Sequence, residues 1–337
     1  MLRVVVAGFG FMGMTHTGNL LKNPAIRLTA VADKNTDGIQ EKLKEQTGNF
    51  STGTIHPEVL SKIKFYDDFA ECLQVEKPDA CIIAVHTNLH YDLAKMALEA
   101  GSHVFLEKPF SLDIEEGKQL IELAVSRNRV LMIGHVVRFM PAYQMLKSWV
   151  ESEEYGKLEF LSLSRFSGVP SWGQWLEKQK EFGSSGGALF DLVIHDIDFA
   201  QWVCGIPESI ESYCLPGKLS NYDYISALWK YHDGNLHVKI EGGNTYHSDY
   251  PFQASFNARF RDASIYYSSQ DPAHITVASG SGIKLIPAGN PNDGFSGELD
   301  YFIDSIIHNR QPQICSPESA LETIKICYRH IRELQTI

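Results

Sequence analysis

Short aliphatic and β-branched runs recur along the first 134 residues, apolar at consecutive positions and separated by helical stretches. The runs Leu2 to Ala7, Leu28 to Ala32, Ile63 to Tyr66, Ala80 to Val85, His103 to Leu106 and Val130 to Ile133 read as strands buried on both faces. Leu89 to Glu99 and Ile114 to Ser126 read as the intervening helices. Strands without polar alternation, joined by helices, predict a parallel sheet covered on both sides. The Gly-, Ser- and Thr-rich stretch from Thr47 to Ser61 reads as a surface insertion. After Gly134 the pattern changes. Pro141 suits the first turn of a helix, Leu158 to Phe166 reads as a long strand, and Phe166 to Ser185 as a polar loop. Gly187 to Cys204 has helical spacing. From Ser209 to Ile286 the apolar residues alternate, as in Ile225 to Tyr231 and Leu236 to Ile240, with turn signals such as Asp233-Gly234 between them, which predicts an antiparallel sheet with one face uncovered. Gly297 to His308 and Pro317 to Leu334 read as closing helices.

The fold class is therefore α/β: an N-terminal doubly wound parallel sheet over residues 1–134, then a second α/β domain over 135–337 built on an open, mainly antiparallel sheet, its last helix able to pack back on the first domain. A length of 337 residues fits two domains. Thirty Lys and Arg against 41 Asp and Glu, a net charge of -11, disfavour nucleic acid or an anionic membrane as partner. No apolar run reaches the roughly 18 to 20 residues of a membrane span. The first strand begins at once with no basic leader, and the six cysteines include no CxxC pair, so a cytoplasmic location with reduced thiols and no metal site is expected.

Gly8-Phe9-Gly10-Phe11-Met12-Gly13 joins the first strand to a helix, the setting a dinucleotide fingerprint requires. Gly8 suits the tight turn, Gly10 close approach of a pyrophosphate to the backbone, and Gly13 helix packing. Asp33, 20 residues after Gly13 at the end of the second strand, suits the adenosine ribose hydroxyls and favours NAD. Lys34 beside it leaves NADP open. Beyond the carboxyl ends of later strands come His86, His90, Glu107 and Lys108, all placed on the cofactor side; Lys108, fixed by the following proline, would stabilise a developing alkoxide. His86 and His90 are four apart but lack a third metal ligand, so lining the cleft or capping the helix is the better reading. On the helix Gly187 to Cys204, Asp191, His195, Asp198 and Trp202 share a face, and the Asp191–His195 pair would orient an imidazole able to take a proton from an alcohol. A metal set of Asp191, His195, Asp196 and Asp198 fits less well, since Asp196 lies about 100° from His195 around the helix. Trp172 and Trp175, with Gln174, offer aromatic faces to a sugar ring or to another subunit.

The glycine fingerprint, Glu107-Lys108-Pro109 and Asp191-Leu192-Val193-Ile194-His195-Asp196 together resemble the glucose-fructose oxidoreductase, inositol dehydrogenase and rhizopine catabolism (Gfo/Idh/MocA) family over nearly the whole chain. Leu98-Glu99-Ala100-Gly101 and the Arg138-Phe139 segment belong to the likeness, and Arg138 is a candidate substrate contact. The resemblance implies a Rossmann domain, a C-terminal domain that assembles the protein through its sheet as a homodimer or homotetramer, and hydride transfer between nicotinamide and a sugar or cyclic polyol. It implies that Lys108, Asp191 and His195 contact the reacting hydroxyl, with His195 as acid and base. Departures lie at Val85-His86-Thr87, where members often have Thr-Pro-Asn, and at Val136 and Met140, often Asn and Asp. Rival readings are an NADPH-dependent carbonyl reductase, an NAD-assisted glycoside hydrolase and a non-catalytic sugar or dinucleotide sensor.

Overall fold

The computed structural model describes residues 1–35, 55, 62–169, 186–232 and 234–334. The expected insertion between Thr47 and Ser61, except Ile55, and Trp172, Gln174 and Trp175 of the expected loop lie outside these residues, as does Asp233. The chain divides into two compact units, one of residues 1–135 and 295–321, the other of 136–294 and 322–337. The second unit is thus interrupted, where the sequence suggests a continuous 135–337.

In the first unit the strands are β1 (Leu2–Ala7), β2 (Ile26–Ala32), β3 (Lys64–Tyr66), β4 (Ala80–Ile83), β5 (His103–Glu107) and β6 (Leu131–Gly134). They pair in parallel in the order β3-β2-β1-β4-β5-β6. The order reverses between β1 and β4, the crevice where such sheets bind ligands. Val4 to Val6, Cys81 to Ile83 and Val104 to Leu106 are fully buried, the double burial that their unbroken apolar runs imply. The helices are α1 (Phe11–Leu20), α2 (Phe69–Glu76), α3 (His90–Glu99) and α4 (Ile114–Ser126). β4 stops two residues short of the expected Val85, where Gly8 packs against the Ala84 carbonyl.

The second unit opens with α5 (Pro141–Ser152), Pro141 occupying its first turn, and β7 (Leu158–Gly168). A π-helical turn, Leu189–Val193, leads into α6 (Ile194–Cys204). Then come β8 (Ser209–Leu215), β9 (Tyr224–Lys230), β10 (His237–Tyr246), β11 (Gln253–Phe260), β12 (Ala263–Ser268), β13 (Asp271–Ser279) and β14 (Gly282–Pro287). With β7 they form one sheet in the order β14-β13-β12-β11-β7-β10-β9-β8. All pairs are antiparallel except β7 with β10, whose long connection lets β10 return alongside β7 in the same direction. One face buries Leu161, Ile225, Trp229, Ile240, Phe256 and Val277, while the other presents Tyr213, Leu215, Tyr266, Ile283 and Leu285 to solvent, the uncovered face that the alternation predicts. The closing helices are α7 (Asp293–Ile307) and α8 (Pro317–Arg332). Among the described residues no helix is long and apolar enough to cross a membrane.

Candidate active site

The glycine turn is built by close approach. Gly8 has φ +90 and a Cβ there would lie 2.3 Å from the Ala84 carbonyl oxygen, so it fits only glycine. A Cβ on Gly13 would lie 2.0 Å from the Gly8 oxygen, which is how α1 comes to start directly against β1. Gly10 differs: a Cβ there would meet none of the described residues within 4 Å, and Gly10 caps α1. The first amides of α1 and the positive end of its dipole thus follow a position that no described residue crowds, the kind of cradle a pyrophosphate fits.

Asp33 is tied to this turn. One carboxylate oxygen accepts the Phe9 amide at 2.6 Å and the other accepts the Asn35 amide at 2.9 Å. Each oxygen keeps further lone pairs, so the carboxylate can brace the turn and still accept from ribose hydroxyls. Lys34 is exposed beside it. Phe9 itself is fully buried against Phe65, with ring centres 6.2 Å apart, so its side chain belongs to the core; Gly10, Phe11 and Met12 form the accessible part of the loop.

The two histidines after β4 part company. His86 is exposed and begins a short 3-10 turn, Thr87–Leu89. His90 is 1% exposed, with Nδ1 2.9 Å from the Pro109 oxygen and Nε2 3.2 Å from the Val85 oxygen. Burial holds its pKa below the ordinary value against the pull of those carbonyls; a neutral ring donates to one of the two, and the shorter distance fits Nδ1 donating to Pro109. His90 thus ties the loop after β4 to the loop after β5 rather than facing a cofactor, contrary to its expected role, and the pair does not form half of a metal site. Glu107 also departs from expectation. It is 5% exposed and points inward, with Oε1 2.5 Å from His16 Nε2 and Oε2 accepting the Lys108 amide at 3.1 Å. Lys108 is half-buried at the strand end.

In the second unit, Gly186 and Gly187 have φ +80 and +69, and a Cβ on Gly187 would lie 2.2 Å from Ser220 Oγ. This glycine pair lets the chain enter the π turn that carries Asp191. Asp191 and His195 lie four apart across the junction of this turn with α6, the spacing that brings side chains toward one side of a helix. Both are half-buried, whereas Asp196 and Asp198 are fully buried. Asp198 takes a bidentate ion pair from Arg138, with both contacts at 2.7 Å, and a hydrogen bond from Thr323 at 2.9 Å. Asp196 takes the corresponding fork of Arg165 at 3.0 Å twice. A metal set that includes Asp196 and Asp198 is therefore excluded: their carboxylates are committed to guanidinium groups. Arg138 is 1% exposed and also donates to Gln201 at 3.2 Å, so its fork is engaged in the interior rather than offered to a substrate as expected.

Sequence reasoning missed these two buried pairs and a cluster of His16, Glu107 and Glu298. One signal was present for the last: Glu298 interrupts the apolar face Phe295, Leu299, Phe302 of α7, where a lone acid needs a reason.

The parallel sheet, the glycine cradle and the tethered acid define a dinucleotide-binding Rossmann domain. Residues 2–135 match the family described as "Oxidoreductase family, NAD-binding Rossmann fold", and 143–266 match the GFO/IDH/MocA C-terminal domain. The chain belongs to this GFO/IDH/MocA family of NAD-binding oxidoreductases. It is 24% identical to the scyllo-inositol 2-dehydrogenase (NAD(+)) of Bacillus subtilis over 332 residues, 95% of this chain and 90% of that enzyme. It is 30% identical to the D-glucoside 3-dehydrogenase of Escherichia coli over 209 residues, 61% of this chain and 55% of that enzyme. A levoglucosan dehydrogenase solved with NADH and levoglucosan shares the fold, with a TM-score of 0.84 at 18% identity over 98% of this chain and 96% of that one.

Proposed function

We propose that this protein is an NAD-dependent dehydrogenase of a sugar or inositol-like polyol, with Lys108, Asp191 and His195 as its proton-handling residues. The observation that carries the reading is the open space over Gly10 beside an acid already fixed at Asp33. NAD would be held by the amides of Gly10, Phe11 and Met12 and by the Asp33 carboxylate; when bound, it supplies the hydride acceptor. Neutral His195 takes the hydroxyl proton during oxidation and returns it during reduction, and Asp191 orients the ring and stabilises its cation. Lys108 stabilises the alkoxide that precedes loss of hydride. The names of relatives acting on scyllo-inositol and D-glucosides support a hydroxyl-rich ring as substrate. The exposed apolar residues on one face of the eight-stranded sheet support assembly with a second copy, which light scattering tests: a monomer at working concentration contradicts it.

Lys108→Ala and His195→Ala test the chemistry. Turnover is expected to fall at least roughly a hundredfold in each, the usual worth of a positioned acid, base or charge stabiliser. NADH binding, followed by fluorescence, is expected to survive in both variants, because the glycine turn and Asp33 that would hold the pyrophosphate and ribose stay in place. Turnover within tenfold of wild type in either variant refutes the assignment.

A further inference from the structure

Glu298 is fully buried on α7, and neither of its carboxylate oxygens has a hydrogen-bond partner among the described residues. It does not lie among apolar groups alone. Ligand atoms of His16 on α1, Glu107 on β5 and Glu298 all lie within 4.8 Å of one another. The cluster is closed by aromatic rings: Phe105 packs edge-on against His16 at 5.2 Å and against Phe302 at 5.8 Å. Gly134 of β6 closes the side nearest Glu107, since a Cβ there would lie 3.3 Å from Glu107 Oε1.

Two carboxylates this close and away from water cannot both hold a charge unless a cation sits with them. His16 offers at most one positive charge, and it is already 2.5 Å from Glu107. A shared metal ion would hold its ligand atoms at about 2.0–2.2 Å from itself and hence roughly 3.3 Å from each other. The His16–Glu107 separation is that of a hydrogen bond instead, which leaves a proton as the neutralising cation. The other acids of α7 are engaged elsewhere: Asp293 accepts from Asn290, Asp300 accepts from Asn23, and Asp304 faces His308 and Arg310.

We propose that Glu298 is a positioning residue carried as a neutral carboxylic acid, and that the sealed His16–Glu107–Glu298 cluster fixes the main chain at Lys108. The link to Lys108 is direct, because Glu107 Oε2 accepts the Lys108 amide while Oε1 faces His16. A charge on Glu298 would repel the Glu107 carboxylate and loosen that hold. Burial, and then the charge of Glu107, push Glu298 well above the ordinary carboxylate range, in the same direction as the geometry. The proposal rests on the reading of Lys108 as a catalytic residue only for its effect on turnover.

The test is urea unfolding of wild type and Glu298→Gln across pH. The folded wild type keeps a proton that the unfolded chain releases above about pH 4.3. Its unfolding equilibrium constant relative to Glu298→Gln is therefore expected to rise about tenfold per pH unit between pH 5 and 7. A ratio independent of pH overturns the proposal. Glu298→Met, also neutral and of similar length, is expected to give the same slope if the glutamine variant folds poorly. The infrared difference between wild type and variant at neutral pH is expected to contain a carboxylic-acid carbonyl band; a carboxylate band in its place overturns the proposal. Glu298→Ala is expected to lower kcat at least tenfold with KM within about threefold, and Glu298→Gln, which keeps a neutral group of the same length, to restore it; wild-type kcat in Glu298→Ala, or an equal loss in both, overturns the positioning role. Zn2+ that stabilises wild type but not Glu298→Gln also overturns it, in favour of a metal. If Lys108→Ala leaves turnover intact while the pH slope is present, the assignment of Lys108 fails and the buried acid stands.

Discussion

Asp198→Ala removes the partner of a guanidinium that is 1% exposed and bonded to it twice at 2.7 Å. Breaking one side of a buried pair costs about 3–5 kcal/mol, because the remaining charge stays out of water. Thr323 loses an acceptor as well, which adds about 1 kcal/mol. The expected loss is therefore about 4 to 6 kcal/mol, or a fall in Tm of roughly 8 to 24 °C at about 2–4 °C per kcal/mol for a unit of this size. Replacing both partners, as Arg138→Met with Asp198→Leu, removes the charge together with its partner and is expected to recover at least half of that loss. Urea unfolding followed by tryptophan fluorescence measures all three proteins, and substrate kinetics of the double variant separate a framework role from a contact. A loss below about 1 kcal/mol in Asp198→Ala refutes the buried-pair reasoning. A KM raised more than tenfold in a well-folded double variant refutes the placement of Arg138 away from substrate.

Other perturbations follow from the same contacts. Gly13→Ala drives a Cβ to 2.0 Å from the Gly8 oxygen and is expected to abolish NADH binding, whereas Gly10→Ala, with none of the described residues within 4 Å, is expected to stay within about 1 kcal/mol of wild type in stability while weakening NADH; equal effects on both properties contradict this. Asp33→Asn presents an amide N–H to one of two backbone donors and is expected to weaken NADH binding roughly ten- to hundredfold by fluorescence titration, with an unchanged Kd as the contrary result. His330 accepts the Trp229 indole N–H at 3.0 Å, and burial lowers its pKa to about 3. The unfolded chain binds this proton near pH 6.5 and the folded chain does not, so the stabilisation is whole above that pH and is lost as pH falls toward 3. By pH 5 the loss is about 2 kcal/mol, which His330→Gln is expected to abolish in urea unfolding measured at both pH values.

The first six strands and the cofactor turn were legible because local chemistry dictates them: a doubly apolar run has one place to go, and only glycine occupies φ +90 at Gly8. Helical spacing joins Asp191 to His195 and also joins Asp198 to them, yet Asp198 is a core residue. Spacing reports which side of a helix a residue is on at the level of one turn; it does not report that Arg138, 60 positions earlier, waits inside for that carboxylate. His90 and Glu107 were misplaced for the same reason. Their positions in the chain put them at strand ends, but their partners, the Pro109 carbonyl and His16, turn them inward. The interrupted second unit was not legible either, since 295–321 carries the same amphipathic pattern whichever unit it joins.

The most direct test of the enzymatic reading is nicotinamide absorbance during incubation of wild type with NAD, and separately with NADP, across inositol isomers, alkyl glucosides and free aldoses. Steady reduction of NAD by a ring polyol, faster than that of NADP and absent in Lys108→Ala, is the expected result. Saturable NAD binding with no reduction by any of these compounds, or equal rates in wild type and Lys108→Ala, would contradict it.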